Sequence, residues 1–193
     1  MLRSLLPSVS AVRLTAAAAV LLALACPSAN AQVVPFKVTG GGPVPEGFSP
    51  FGFDSPHSAT GNATYLGRYS GNGVANVLSF NPMTGSGTFH GSYTFVAANG
   101  DKLACTYGDT DNGAEQVGQF QLYPVGGGEV YVVFIAEFNP IPAQCTGRFA
   151  DVVDGSLLMV ATTEPFVLQL NADGFTPPFQ YTWQGKGWLE FDE

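Results

Sequence analysis

Charge is scarce in this chain of 193 residues. Charged side chains make up 11%, against about a quarter of an ordinary soluble chain. Basic ones are rarest: seven Lys and Arg face fifteen Asp and Glu, a net of −8. Two of the seven, Arg3 and Arg13, fall in the first 31 residues, which hold no acid, so a chain beginning at Gln32 carries five basic and fifteen acidic residues, a net of −10. Without a basic stripe, nucleic acid and anionic membrane surfaces are poor partners. No apolar run after residue 31 approaches the roughly 20 residues of a membrane-spanning helix. No segment beyond that point shows a helical apolar period of useful length. Nucleophile elbows of the Gly-x-Ser-x-Gly kind, phosphate-cradling Gly-x-x-x-x-Gly-Lys loops and dinucleotide fingerprints are missing. The main sequence-based reasons to assert catalysis or a cofactor are therefore missing too, and we assign no cofactor.

Ligands for a metal are equally few. The chain has two histidines, His57 and His90, with no paired spacing, and three cysteines, none with metal-type spacing to a neighbour. A metal centre wants several such groups converging, so none is assigned. Asp109-Thr110-Asp111-Asn112-Gly113 has the look of the start of a calcium loop, but the twelfth position, where the bidentate Glu belongs, is Phe120. Asp, Asn and Gly are what a polar turn prefers for local reasons.

What is present begins with an address. Arg3 and Arg13 precede the apolar run Leu14–Ala25, too short to span a bilayer, and Ala29-Asn30-Ala31 supplies small residues where a signal peptidase reads. The reading is a signal peptide over 1–31 and a secreted or periplasmic chain. A lipoprotein signal with Cys26 as the lipidated residue fits less well. Export leaves Cys105 and Cys145 in an oxidising compartment, which predicts a disulfide between them. Closing a loop of about 41 residues would contribute roughly 4 kcal/mol.

All 24 aromatics and all 24 glycines follow position 31. Residues 32–58 are rich in Pro, Gly and Phe, including Pro35, Gly40-Gly41-Gly42-Pro43, Pro45, Phe48, Pro50, Phe51, Phe53 and Pro56. Repeated proline removes ladder donors, so the segment reads as an extended arm or lid lying against a domain over 59–193. From there the signals are short strands with turn punctuation: Ala63–Tyr69, Val74–Phe80, Thr88–Ala97, Lys102–Tyr107, Glu115–Tyr123, Glu129–Phe138, Ser156–Thr162, Phe166–Leu170 and Gln180–Leu189. Ser70-Gly71-Asn72-Gly73 reads as a turn, and Asn99-Gly100 as a hairpin. Short strands joined by tight turns read as an all-β antiparallel barrel or sandwich, and one long meander with no long crossover connection favours the barrel.

Gln144-Cys145-Thr146-Gly147-Arg148-Phe149-Ala150-Asp151-Val152-Val153-Asp154-Gly155 resembles the Gly-Gly-Thr-Gly-x-Phe stretch of allene oxide cyclases and dirigent proteins. Ala59–Tyr69 is similar to a strand of exported bacterial proteins of the same superfamily. Tyr65 stands where many of them have His, and Cys145 where the first motif has Gly. The resemblance implies an eight-stranded, calycin-like barrel of the allene oxide cyclase type, with a pocket at its mouth. No catalytic residue of either family is matched here.

One register of the strands points Phe89, Tyr93, Phe95, Phe120, Leu122, Phe134 and Phe149 inward, where they would equally fill a solid core or line a pocket at the barrel mouth. The functional reading is an exported, non-catalytic barrel that binds a small apolar or aromatic molecule through Phe89, Tyr93, Phe134, Arg148 and Phe149. Alternatives are a cyclase- or dirigent-like catalyst and an interaction module with no pocket ligand. Glu137, ending the apolar strand Val130–Phe138, is the one carboxylate singled out as an acid or base, although a strand-end carboxylate facing water is the more ordinary reading. The leader makes a direct prediction: the exported protein begins at Gln32, so intact-mass measurement finds residues 32–193 with no lipid. A lipidated Cys26 terminus or an uncleaved chain contradicts it.

Overall fold

The computed structural model describes residues 31–192. The expected leader up to Asn30, Cys26 included, lies outside these residues. Ten antiparallel strands form one sheet: β1 (Gln32–Val44), β2 (Ser55–Ala63), β3 (Gly67–Asn81), β4 (Ser86–Ala97), β5 (Lys102–Tyr107), β6 (Gly118–Gly126), β7 (Glu129–Pro140), β8 (Val152–Thr163), β9 (Phe166–Val167) and β10 (Phe179–Phe191). The sheet closes in a ring. Pairing runs β3–β2–β1–β10–β8–β7, and β4 returns to β3. The gap between β7 and β4 is bridged by β5 at one end and by β6 at the other. Among the described residues, no helix is long and apolar enough to cross a membrane.

The segment read as an arm divides into strand and strap. Val34, Phe36 and Val38 are buried while Val33, Pro35 and Lys37 face out, the period-two signature of a half-buried strand. β1 pairs with β10 along its whole length, but with β2 only over Val38–Gly41. Lys37 N donates to Thr64 Oγ1, so the odd-numbered residues of β1 present their backbone toward β2. Pro35 and Pro43 share that direction and fall outside the paired stretch, where a missing N–H breaks no ladder bond. Residues 45–54 form the strap, a lid-like segment over one end of the ring.

A second difference lies in β3. Ser70–Gly73, read as a turn, continues the strand opposite Tyr93–Val96 of β4. The reversal instead occurs at Thr64–Leu66, where Tyr65 and Gly67 take φ of 62° and 64°. Gly71 and Gly73 are needed as flat positions: a Cβ on Gly71 would lie 2.8 Å from the Tyr93 hydroxyl, and one on Gly73 2.7 Å from His57 Nε2.

The disulfide is a correction. Cys105 and Cys145 are both buried and both free. Cys105 stands in register between Tyr93 and Pro140, whereas the Cys145 thiol donates to the carbonyls of Ile141, at 3.4 Å, and Ala104, at 3.7 Å. It is turned to backbone rather than to its expected partner, and a disulfide sulfur would have no proton to give those carbonyls. Burial pushes both thiols above their ordinary pKa, which suppresses the reactive thiolate. Ellman's reagent is accordingly expected to leave both untouched in the native protein and to modify both once the unreduced chain is unfolded in guanidinium. Finding no reactive thiol after unfolding would restore the disulfide.

Candidate functional site

Inward-facing side chains close the end of the ring away from the strap. There Phe149, Leu157 and Leu189 are fully buried, and Arg148 ties the rim by pairing with Asp101 at 2.9 Å and donating to the Tyr65 carbonyl. Hydrogen bonds from Asn99 and Arg148 hold the Asp101 carboxyl below its usual range. At the strapped end the interior stays open as a cavity of about 70 Å³. Alternate residues of the strands line it: Phe89 of β4, Phe134, Ala136 and Phe138 of β7, Met159 and Ala161 of β8, and Phe179, Tyr181 and Trp183 of β10. Phe48 of the strap forms its lid. The strap is held by Phe48 N donating to Thr176 Oγ1 (2.9 Å) and Thr176 N donating to the Phe48 carbonyl (3.0 Å). Gly47 permits this approach, since at φ 79° its absent Cβ would lie 1.9 Å from the Thr176 carbonyl oxygen.

One histidine sits in this apolar wall. His57, on β2, stacks on Tyr93 with ring centroids 5.3 Å apart and meets Trp183 edge-on at 6.2 Å. Its Nδ1 lies 2.9 Å from the Tyr181 hydroxyl and its Nε2 3.0 Å from that of Tyr107. Each hydroxyl also reaches a carbonyl, Tyr181 that of Ser58 at 3.0 Å and Tyr107 that of Val74 at 2.9 Å. Four contacts are thus arranged in a row, from Val74 through Tyr107, His57 and Tyr181 to Ser58. A neutral imidazole and two phenols supply three protons. One phenol must therefore turn its proton to the ring, leaving its carbonyl without it, and the choice fixes the imidazole tautomer.

Burial decides the charge state. It brings His57 down from 6.5 to about 4 and raises Tyr69 to about 12. Tyr93, Tyr107 and Tyr181 are pushed up further, by burial first and then by one another. The cluster is uncharged at neutral pH, and its polar tips are turned to partners: Tyr93 to the Ala59 carbonyl at 3.4 Å, and the Trp183 indole N–H to the Tyr69 hydroxyl at 2.7 Å. No polar atom is left facing the cavity.

The residues singled out from sequence divide accordingly. Phe89 and Phe134 line the cavity. Tyr93 lies behind His57, fully buried. Arg148 and Phe149 belong to the opposite end. Glu137 is on the outer face, where its carboxylate accepts from Glu115 N at 2.8 Å and from the Ser156 hydroxyl, so it ties a loop to the sheet. Asp109 accepts from Asp111 N and caps a single 3-10 turn. His57, Tyr107, Tyr181 and Trp183 were missed as a group, since their convergence depends on ring closure. The available signal was the alternation of Ser55, His57 and Ala59, with Ser55 and Ala59 buried on the same face.

The histidine makes stability depend on pH. An unfolded chain protonates His57 near 6.5 and the native protein only near 4, so the native state loses stability as pH falls from about 6.5 to about 4, by up to about 3 kcal/mol. Urea unfolding of His57→Phe, compared with the parent protein at pH 7, 5.5 and 4, is expected to lack this component. Parallel losses in the two proteins would assign the acid sensitivity elsewhere. In comparison with known proteins, the chain matches no protein-family model, no curated protein and no solved structure.

Proposed function

We propose that this is an exported, non-catalytic protein whose ring is an eight-stranded, calycin-like barrel related to allene oxide cyclases and dirigent proteins, and that it binds a small apolar or aromatic molecule. The carrying observation is an interior cavity walled by aromatic and aliphatic groups, with every nearby polar tip already bonded. Ligand pockets are mostly apolar with a few placed polar groups, and small barrels close completely when side chains fill them. An interior left open here supports a binding role. The His57–Tyr107–Tyr181 row favours a second reading, a cyclase- or dirigent-like catalyst, because convergent ionisable groups are what acid–base chemistry needs. Two features weigh against it. Both imidazole nitrogens are covered by phenols, and the phenols are held protonated by burial.

Toluene is a suitable probe. A ligand bound only by the native state raises stability by about 2 kcal/mol at roughly thirty times its Kd, a rise of about 4–8 °C in the melting midpoint of a chain this size. The expected result is such a rise, accompanied by a change in Trp183 fluorescence. Both effects should disappear in Ala161→Leu, which fills the cavity. A midpoint indifferent to toluene in the unmodified protein would overturn the binding reading.

A further inference from the structure

The cavity has a neighbour. On the outer side of the strap, an apolar groove of about 170 Å³ runs between Pro50, Phe80, Leu122, Phe166 and Leu168. Among the described residues, Phe48 alone lines both spaces. Its ring stands edge-on to Phe120 at 5.5 Å and to Phe134 at 5.4 Å. Both hydrogen bonds that hold it use the backbone N–H and carbonyl of Phe48, so a turn of the ring about χ1 breaks neither of them and would open the wall that Phe48 makes between cavity and groove.

Resting on the binding reading above, we propose that cavity and groove are two halves of one site for an amphiphile with a chain of about eight to ten carbons and an uncharged or cationic head, admitted chain-first past Phe48. The cavity has room for about five water-sized groups and the groove for about twelve, so a chain of eight to ten carbons outgrows the cavity and extends into the groove. The head cannot follow the chain inward. No polar atom faces the cavity, and burying an unpartnered polar group there is strongly unfavourable. It stays at the outer lip of the groove, where Leu170 and Thr176 also border an adjoining surface pocket whose ionisable lining residues are Glu46 and Asp173. None of the five basic residues after position 31 lines the groove or that pocket. A carboxylate head therefore meets repulsion, whereas an ammonium or hydroxyl does not.

The test is calorimetric titration of the protein with toluene, 1-decanol, decylamine and decanoate at pH 7 and low salt. The expected result is that decanol and decylamine bind at least ten-fold more tightly than decanoate, with the amine–decanoate gap shrinking in 1 M NaCl as screening sets in. Leu168→Asn, a change at an exposed groove residue, is expected to weaken decanol at least five-fold and leave toluene unchanged. The exposed pair Glu46→Lys and Asp173→Lys is expected to bring decanoate up to decanol. Decanoate binding as tightly as decylamine to the unmodified protein, or decanol indifferent to Leu168→Asn while toluene still binds, overturns this inference and leaves the cavity reading standing. No saturable heat with toluene, decanol and decylamine alike overturns both.

Discussion

Pairing between Gln32–Val44 and Phe179–Phe191 is the contact on which the remaining architecture depends. Without it, β2 and β3 would attach to the rest only through β4, and the sheet would lie open. With it, Val38 and Phe36 are brought over an interior otherwise built from β4, β5, β7 and β8, and Tyr181 and Trp183 are carried to within hydrogen-bonding and stacking distance of β2. The proline-bearing strand tolerates the role because its prolines lie outside the Val38–Gly41 stretch that pairs with β2. Closure also makes the cluster around His57 possible, since its four aromatic neighbours come from β4, β5 and β10.

The interior contrasts at its two ends. Away from the strap, apolar side chains fill the space and Arg148 binds the turns of the rim together. Beneath the strap, aromatic rings line a hollow rather than filling it. The polar tips there are tied to one another and to carbonyls, so the low dielectric that would make an isolated polar group costly instead holds the cluster neutral. Lost hydration offsets much of what these bonds contribute. Their larger consequence is orientation: a tyrosine with two partners has few ways to sit, and the imidazole between two such tyrosines has fewer.

How far the sequence could be read follows from the range of the interactions involved. Lys102–Tyr107 was recovered with its bounds, and β4 nearly so, because the alternation of Phe89, Tyr93 and Phe95 and the turn at Asn99-Gly100 are local signals. β1 was overlooked although Val34, Phe36 and Val38 alternate cleanly. Proline reads as a break in the ladder, and whether it is one depends on where pairing with the neighbouring strand stops. The Ser70–Gly73 stretch misled for a related reason. Glycine there makes room for rings approaching from β2 and β4, which no window along β3 can reveal. Phe89 and Phe134 were reached through inward register alone. The grouping of His57 with Tyr107 and Tyr181 spans partners 50 and 124 positions away, and only the closed ring brings them together. In a chain whose leader reads as a signal peptide, two cysteines make a disulfide the simplest expectation, and the orientation of one thiol toward backbone carbonyls overrides it.

The joining of first and last strands also sets an order of assembly. Nearly the whole described chain must be available before β1 gains its full-length neighbour, and until then β1 and β8 present unpaired backbone edges flanked by apolar side chains. Such edges are templates for another copy of the chain, and contacts this distant in sequence form slowly because the intervening chain must first be gathered. Loss of β10 by truncation would therefore do more than remove thirteen residues. It would leave two sticky strands with no internal partner and turn a self-contained ring into a polymerising one.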